Sequence, residues 1–152
     1  MRTFADKKDT VWDIELNVGI IEEVKGKLGI DLLDPIGEDS QLIVELSPVD
    51  TKNIKRFCDL LALLCEEQCV ERSISLKDFV KLLDSSAIKG AYNAFFEEWQ
   101  DFFQSLDRMD IAEAMVKIRE LIKEGVTKVI VEIKKIEYPI DNLSMSLPES
   151  LE

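Results

Sequence analysis

The apolar residues of this chain change their period once, and that change limits the fold more than any other feature. In Thr10-Val11-Trp12-Asp13-Ile14-Glu15-Leu16 they alternate, placing Trp12, Ile14 and Leu16 on one face and Asp13 and Glu15 on the other. From Ile20 to Ile136 they recur every three or four residues. One short alternating stretch followed by helical stripes predicts an α+β fold, a mainly α-helical single domain with an N-terminal β-hairpin packed on a bundle of five or six helices. Thr3-Phe4-Ala5 supplies the first strand, and Asp6-Lys7-Lys8-Asp9 is a polar turn. A lone hairpin is unstable in water, so the Trp12 face must pack against helices. A chain of 152 residues holds one core and hardly two. The expected organisation is one globular domain over 1–138, with the hairpin at 3–16 and helices to about 138, then a polar tail over 139–152.

Capping residues divide the helical part. Asn17 is placed to cap a helix with apolar positions Ile20, Ile21, Val24 and Leu28, and Gly29 sits where a left-handed cap residue belongs. Ile30 to Asp39, with Pro35 and Gly37, reads as a connection whose Ile30, Leu32 and Leu33 turn inward; Gln41 to Leu46 reads as a short helix, with a strand as the alternative. Ser47-Pro48-Val49-Asp50 combines an N-cap serine, a first-turn proline and an acid three residues on, ahead of Ile54, Phe57, Cys58, Leu61, Leu64, Cys65 and Cys69. Ser75 precedes a short helix containing Phe79, Leu82 and Leu83. Ser85 or Ser86 precedes a largely aromatic stripe of Ile88, Ala91, Tyr92, Phe95, Trp99, Phe102, Phe103 and Leu106. The last helix starts near Asp110 and carries a seam from Ile111 to Ile136; over Val126 to Ile133 a strand is the alternative.

Composition then excludes most chemistry. There is no histidine, which removes His-dependent triads, His metal ligands and the commonest general base near neutral pH. The net charge is −12, and the successive thirds carry −7, −1 and −4, so no segment is basic enough to hold a phosphate backbone or an anionic membrane. The longest apolar run, Leu60 to Cys65, is far too short to span a bilayer, and Met1 to Thr10 lacks a signal-like apolar core. These features predict a cytoplasmic protein that binds neither nucleic acid nor membrane.

Each candidate site has a plainer reading. Cys58, Cys65 and Cys69 share a helix face and could in principle serve a soft metal or redox enzyme, but no fourth ligand or C-x-x-C pair accompanies them, and they read as small core residues. Glu97 with Asp101, Glu22-Glu23 and Glu66-Glu67 read as solvated helix faces, with Glu97 and Glu98 flanking the aromatic stripe. The acid-rich loops Asp6–Asp9 and Asp31–Asp39 lack the spacing of a calcium loop, and no glycine pattern cradles phosphate. The expectation is no catalytic residue, no metal and no cofactor. Surplus apolar surface remains: Phe96 lies off the main stripe of its helix, and the Ile111–Ile136 seam is long for so small a domain. Phe96, Val126, Val129, Ile133 and Ile136 are therefore the candidate partner-binding residues, facing a second copy or a client helix. Lys123, Lys128, Lys134 and Lys135 against Glu124, Glu132 and Glu137 would set register.

The run Arg2-Thr3-Phe4, then Val11 to Ile21, then Gly29-Ile30-Asp31-Leu32-Leu33-Asp34, Leu60 to Cys65, Ser75 to Phe79 and Trp99 to Phe103 resembles, in order, small proteins encoded in the tail-gene clusters of phages and prophages. The resemblance covers about residues 2–105 and is to the tail assembly chaperones of long-tailed phages. It implies a small, mainly helical, non-enzymatic protein of the bacterial host cytoplasm. Its partner would be the tape measure protein, or another tail protein, kept soluble while the tail tube assembles. The alternative from charge alone is an acidic adaptor or nucleic-acid-mimicking inhibitor that binds a basic protein surface.

Overall fold

The structure, a computed structural model, describes residues 1–37, 41–48 and 51–124. An antiparallel hairpin, β1 (Arg2–Ala5) and β2 (Val11–Ile14), is followed among the described residues by seven helices. These are α1 (Val18–Leu28), α2 (Gln41–Leu46), α3 (Ile54–Leu64), α4 (Glu66–Glu71), α5 (Leu76–Lys81), α6 (Ser85–Ser105) and α7 (Met109–Glu124). The fold is α+β and mainly helical. The expected helix beyond Gly125 and the tail over 139–152 lie outside the described residues.

The hairpin pairs Phe4 with Trp12 and Arg2 with Ile14. Phe4, Trp12, Ile14 and Leu16 are buried, as the alternation requires. Its turn is built on Asp6, whose carboxylate accepts from Lys8 N (2.8 Å), Thr10 N (3.1 Å) and Trp12 Nε1 (2.9 Å). The Trp12 ring meets Phe79 of α5 edge-on at 4.7 Å, and the Arg72 guanidinium covers it at 4.2 Å. Lys7 N donates to Leu82 O at 3.0 Å, fixing the hairpin tip to the end of α5.

Among the described residues the open edge of β2 is closed by side chains and not by a third strand. Gln68 of α4 accepts from Asp13 N (2.9 Å) and donates to Asp13 O (2.8 Å), and Arg72 Nη2 donates to Val11 O (2.9 Å). A primary amide reproduces the donor and acceptor that a neighbouring strand would offer, so the edge is not left as a template for another chain.

Helix boundaries follow the caps, with three corrections. Asn17 accepts from Ile20 N at 2.9 Å, and Ser75 accepts from Asp78 N at 3.1 Å. Gly29 closes α1 at φ 68°, a left-handed conformation that glycine adopts without strain, and its N–H returns to Lys25 O. Asp84, not Ser85 or Ser86, caps α6 by accepting from Ala87 N at 2.8 Å; a carboxylate is the stronger acceptor at a positive helix end. Ser47 is buried at the end of α2, and α3 begins only at Ile54, after a 3-10 turn over Thr51–Asn53. The single helix expected from Ile54 to Cys69 is divided at Cys65, where φ is −101° and ψ 7°, and the second segment, α4 with its cap Arg72, places Gln68 and Arg72 against β2.

Among the described residues α6 is the longest helix, and it forms the spine. Ala91, Tyr92, Ala94, Phe95, Phe96, Trp99 and Phe103 are all buried on it. They meet Phe57, Leu60 and Leu61 of α3, Ile43 and Leu46 of α2, and Ala112, Met115 and Ile122 of α7 in one continuous core. Trp99 Nε1 donates to Leu32 O at 2.8 Å and holds the α1–α2 connection against the spine. Ile30 and Leu32 point inward as expected, but Leu33 is 47% exposed, because the turn at Asp31–Asp34 rotates it outward. Leu106, the last residue of the expected aromatic stripe, is also outside the core, at 55% exposed.

Candidate functional site

The cysteines were the first chemical candidates, and the structure places all three in the core as free, buried thiols. Burial, reinforced by Cys69, pushes the Cys65 thiol up to about 12, and burial likewise raises Cys58 and Cys69. Such thiols are protonated at neutral pH and are poor nucleophiles and ligands. Among the described residues no group of three or more Cys, Asp or Glu side chains is arranged to hold a metal ion.

Glu98 is not on a solvated face. It is 7% exposed, accepts from Leu16 N at 3.1 Å and meets the Met1 amino group at 3.1 Å. Beside it, Arg2 reaches Asp101 at 2.6 Å and Glu97 at 3.3 Å. These carboxylates clamp β1 to α6, which accounts for them structurally.

Phe96 also differs from its expected role. It is fully buried, with the Arg119 guanidinium 4.7 Å from its ring centroid and Tyr92 and Trp99 as ring neighbours, so in this fold it offers no surface to a partner. The second bulky side of α6 is needed because α7 packs there. The other candidate partner residues, Val126, Val129, Ile133 and Ile136, lie outside the described residues.

What the fold builds instead is a cleft of about 440 Å³ where the ends of four helices converge. The N-terminal half of α6 contributes Ser85, Ile88, Lys89, Tyr92 and Asn93, and the end of α7 contributes Arg119, Ile122 and Lys123. Ser47 and Pro48 after α2, with Ile54 opening α3, close the remaining side. Its apolar surface comes from Ile54, Ile88, Ile122 and the Tyr92 ring, a lining typical of binding clefts. Burial pushes the Tyr92 phenol up to about 12, against the opposing effects of Arg119 and Ser47, so it remains a hydroxyl. Arg119 Nη2 donates to Asn93 Oδ1. Among the described residues Tyr92 Oη and Arg119 Nε are buried without a hydrogen-bond partner at bonding geometry.

The sequence carried a signal for this cleft that periodicity alone passes over. Lys89 and Asn93 are four apart on α6, and Arg119 and Lys123 are four apart on α7, each pair bordering an apolar stripe. A second depression, of about 450 Å³, has the opposite character. Six carboxylates, those of Asp13, Glu15, Glu23, Glu66, Glu67 and Glu71, line it together with Met1, Ile20, Leu63, Leu64 and Gln68.

No family model, no curated protein and no solved structure matches this chain. Among the described residues no helix is long and apolar enough to cross a membrane.

Proposed function

We propose that this chain is a non-enzymatic binding protein that holds an apolar helical segment of a protein client, as a tail assembly chaperone holds the tape measure protein. The observation that carries the reading is the apolar cleft between α6 and α7, walled by helix faces and backed by the buried aromatic spine. A client helix laid there would bind by ridge-into-groove packing, each buried aliphatic side chain contributing roughly 1.5–3 kcal/mol before ordering costs. The buried, protonated thiols support a packing role for the cysteines over the remote alternative of a thiol or metal enzyme.

The test is to read the gene neighbourhood and to co-express the chain with a tape measure protein encoded there. The expected result is a soluble complex that survives high salt. An insoluble client, or a gene neighbourhood without tail proteins, overturns the reading. A second reading, an acidic adaptor for a basic protein, is favoured by the carboxylate-lined depression. It predicts a complex that dissociates steeply as salt rises, because exposed charges are screened.

A further inference from the structure

The chemistry of the cleft narrows its occupant, given the binding role proposed above. The chain carries 31 acidic residues against 19 basic ones, yet among the described residues the lining of this cleft includes Lys89, Arg119 and Lys123 and no carboxylate. Among the described residues none of these three cations forms an ion pair. Among the described residues Arg119 Nε is buried without a hydrogen-bond partner, the Tyr92 hydroxyl has the Ser47 hydroxyl near it but not at bonding geometry, and Asn93 Oδ1 is already engaged by Arg119. The site therefore has a surplus of donors around an apolar centre, and buried donors left without acceptors are costly. Its walls are helix faces, and the open edge of β2 is covered by Gln68 and Arg72, so strand addition is not offered here.

We infer that the cleft takes an amphipathic helix of a protein partner whose apolar ridge is flanked by Asp or Glu side chains, the carboxylates meeting Arg119, Lys89 and Lys123. The chain's own apolar segment after Glu124 is a poorer match, because Lys128, Lys134 and Lys135 outnumber Glu132 and Glu137 in it. Charge complementarity of this kind sets which partner is accepted more than how much apolar area is buried.

The experiment uses the full chain and three labelled synthetic helical peptides, with binding read by fluorescence anisotropy. Two share one Leu/Ile ridge and differ only in Glu or Lys flanks; the third is residues 125–138 of this chain. The expected result is that the Glu-flanked peptide binds about tenfold or more tighter than either of the others. The double variant Lys89→Glu, Lys123→Glu, confined to exposed side chains, should abolish that preference while leaving the circular dichroism spectrum unchanged. Equal binding of the two flank types, equal or tighter binding of the 125–138 peptide, a preference that survives the double variant, or saturable binding to none of the three overturns the inference. A chain that keeps its client soluble yet shows no such preference retains the holding role and loses this assignment, so the two failures are distinguishable.

Discussion

Asp6 collects donors from three points of the hairpin, and its carboxylate is held below the usual range even though burial acts on it upward, because bonds from Trp12, Lys8 and Thr10 together outweigh that effect. A carboxyl with a depressed folded pKa stabilises the fold above its unfolded value, about 3.9, and that contribution is lost as pH falls through the lower folded value. Asp6→Ala is expected to cost about 2–3 kcal/mol in urea unfolding, since it strands the buried Trp12 indole N–H. Asp6→Asn should cost less, and its gap from the native protein should shrink as the pH is lowered below about 4. A gap that widens in acid would show that the Asp6 bonds do not favour the charged form. The cysteines give a second prediction at this scale. With Cys65 near 12 and all three thiols buried, a disulfide-exchange reagent should label the native protein roughly tenfold or more slower than the urea-unfolded chain. Fast labelling of the native protein would place a thiol in a reactive, accessible setting.

Elements were legible where their signals are local. Asn17 with Ile20 and Ser75 with Asp78 bond across three residues, so both helix starts can be read from a short window of sequence. The interruption at Cys65 could not be read that way. The apolar spacing runs through it unbroken, and its consequence, the docking of Gln68 on β2, joins residues 55 apart. Glu98 was misplaced for the same reason: its partners, Leu16 N–H and the Met1 amino group, are distant in sequence. The cleft was hidden because it joins the ends of four elements, although Lys89, Asn93, Arg119 and Lys123 each sit at helical spacing. The Gln68 contact predicts its own test. Gln68→Ala should cost about 1–2 kcal/mol and speed hydrogen exchange at the Asp13 amide, while Gln68→Glu, which keeps the acceptor, should leave that amide more protected than Ala does. Equal exchange at Asp13 in all three proteins would show that the edge is closed by something else.

The described residues form a helical spine with a hairpin sealed to it, and two of the depressions on them differ in character, one apolar and cationic, the other lined by carboxylates. Trp12, Phe57, Phe95 and Trp99 are fully buried in one core, so binding of the proposed client is expected to be felt locally. The most direct measurement is amide hydrogen exchange across the full chain, alone and in complex with the proposed client. The account predicts new protection over Ser85–Asn93 and Arg119–Lys123, which wall the cleft, with residues 13–23 and 63–71 unchanged. Protection confined to those acidic stretches, with the α6 and α7 walls unaffected, would contradict it.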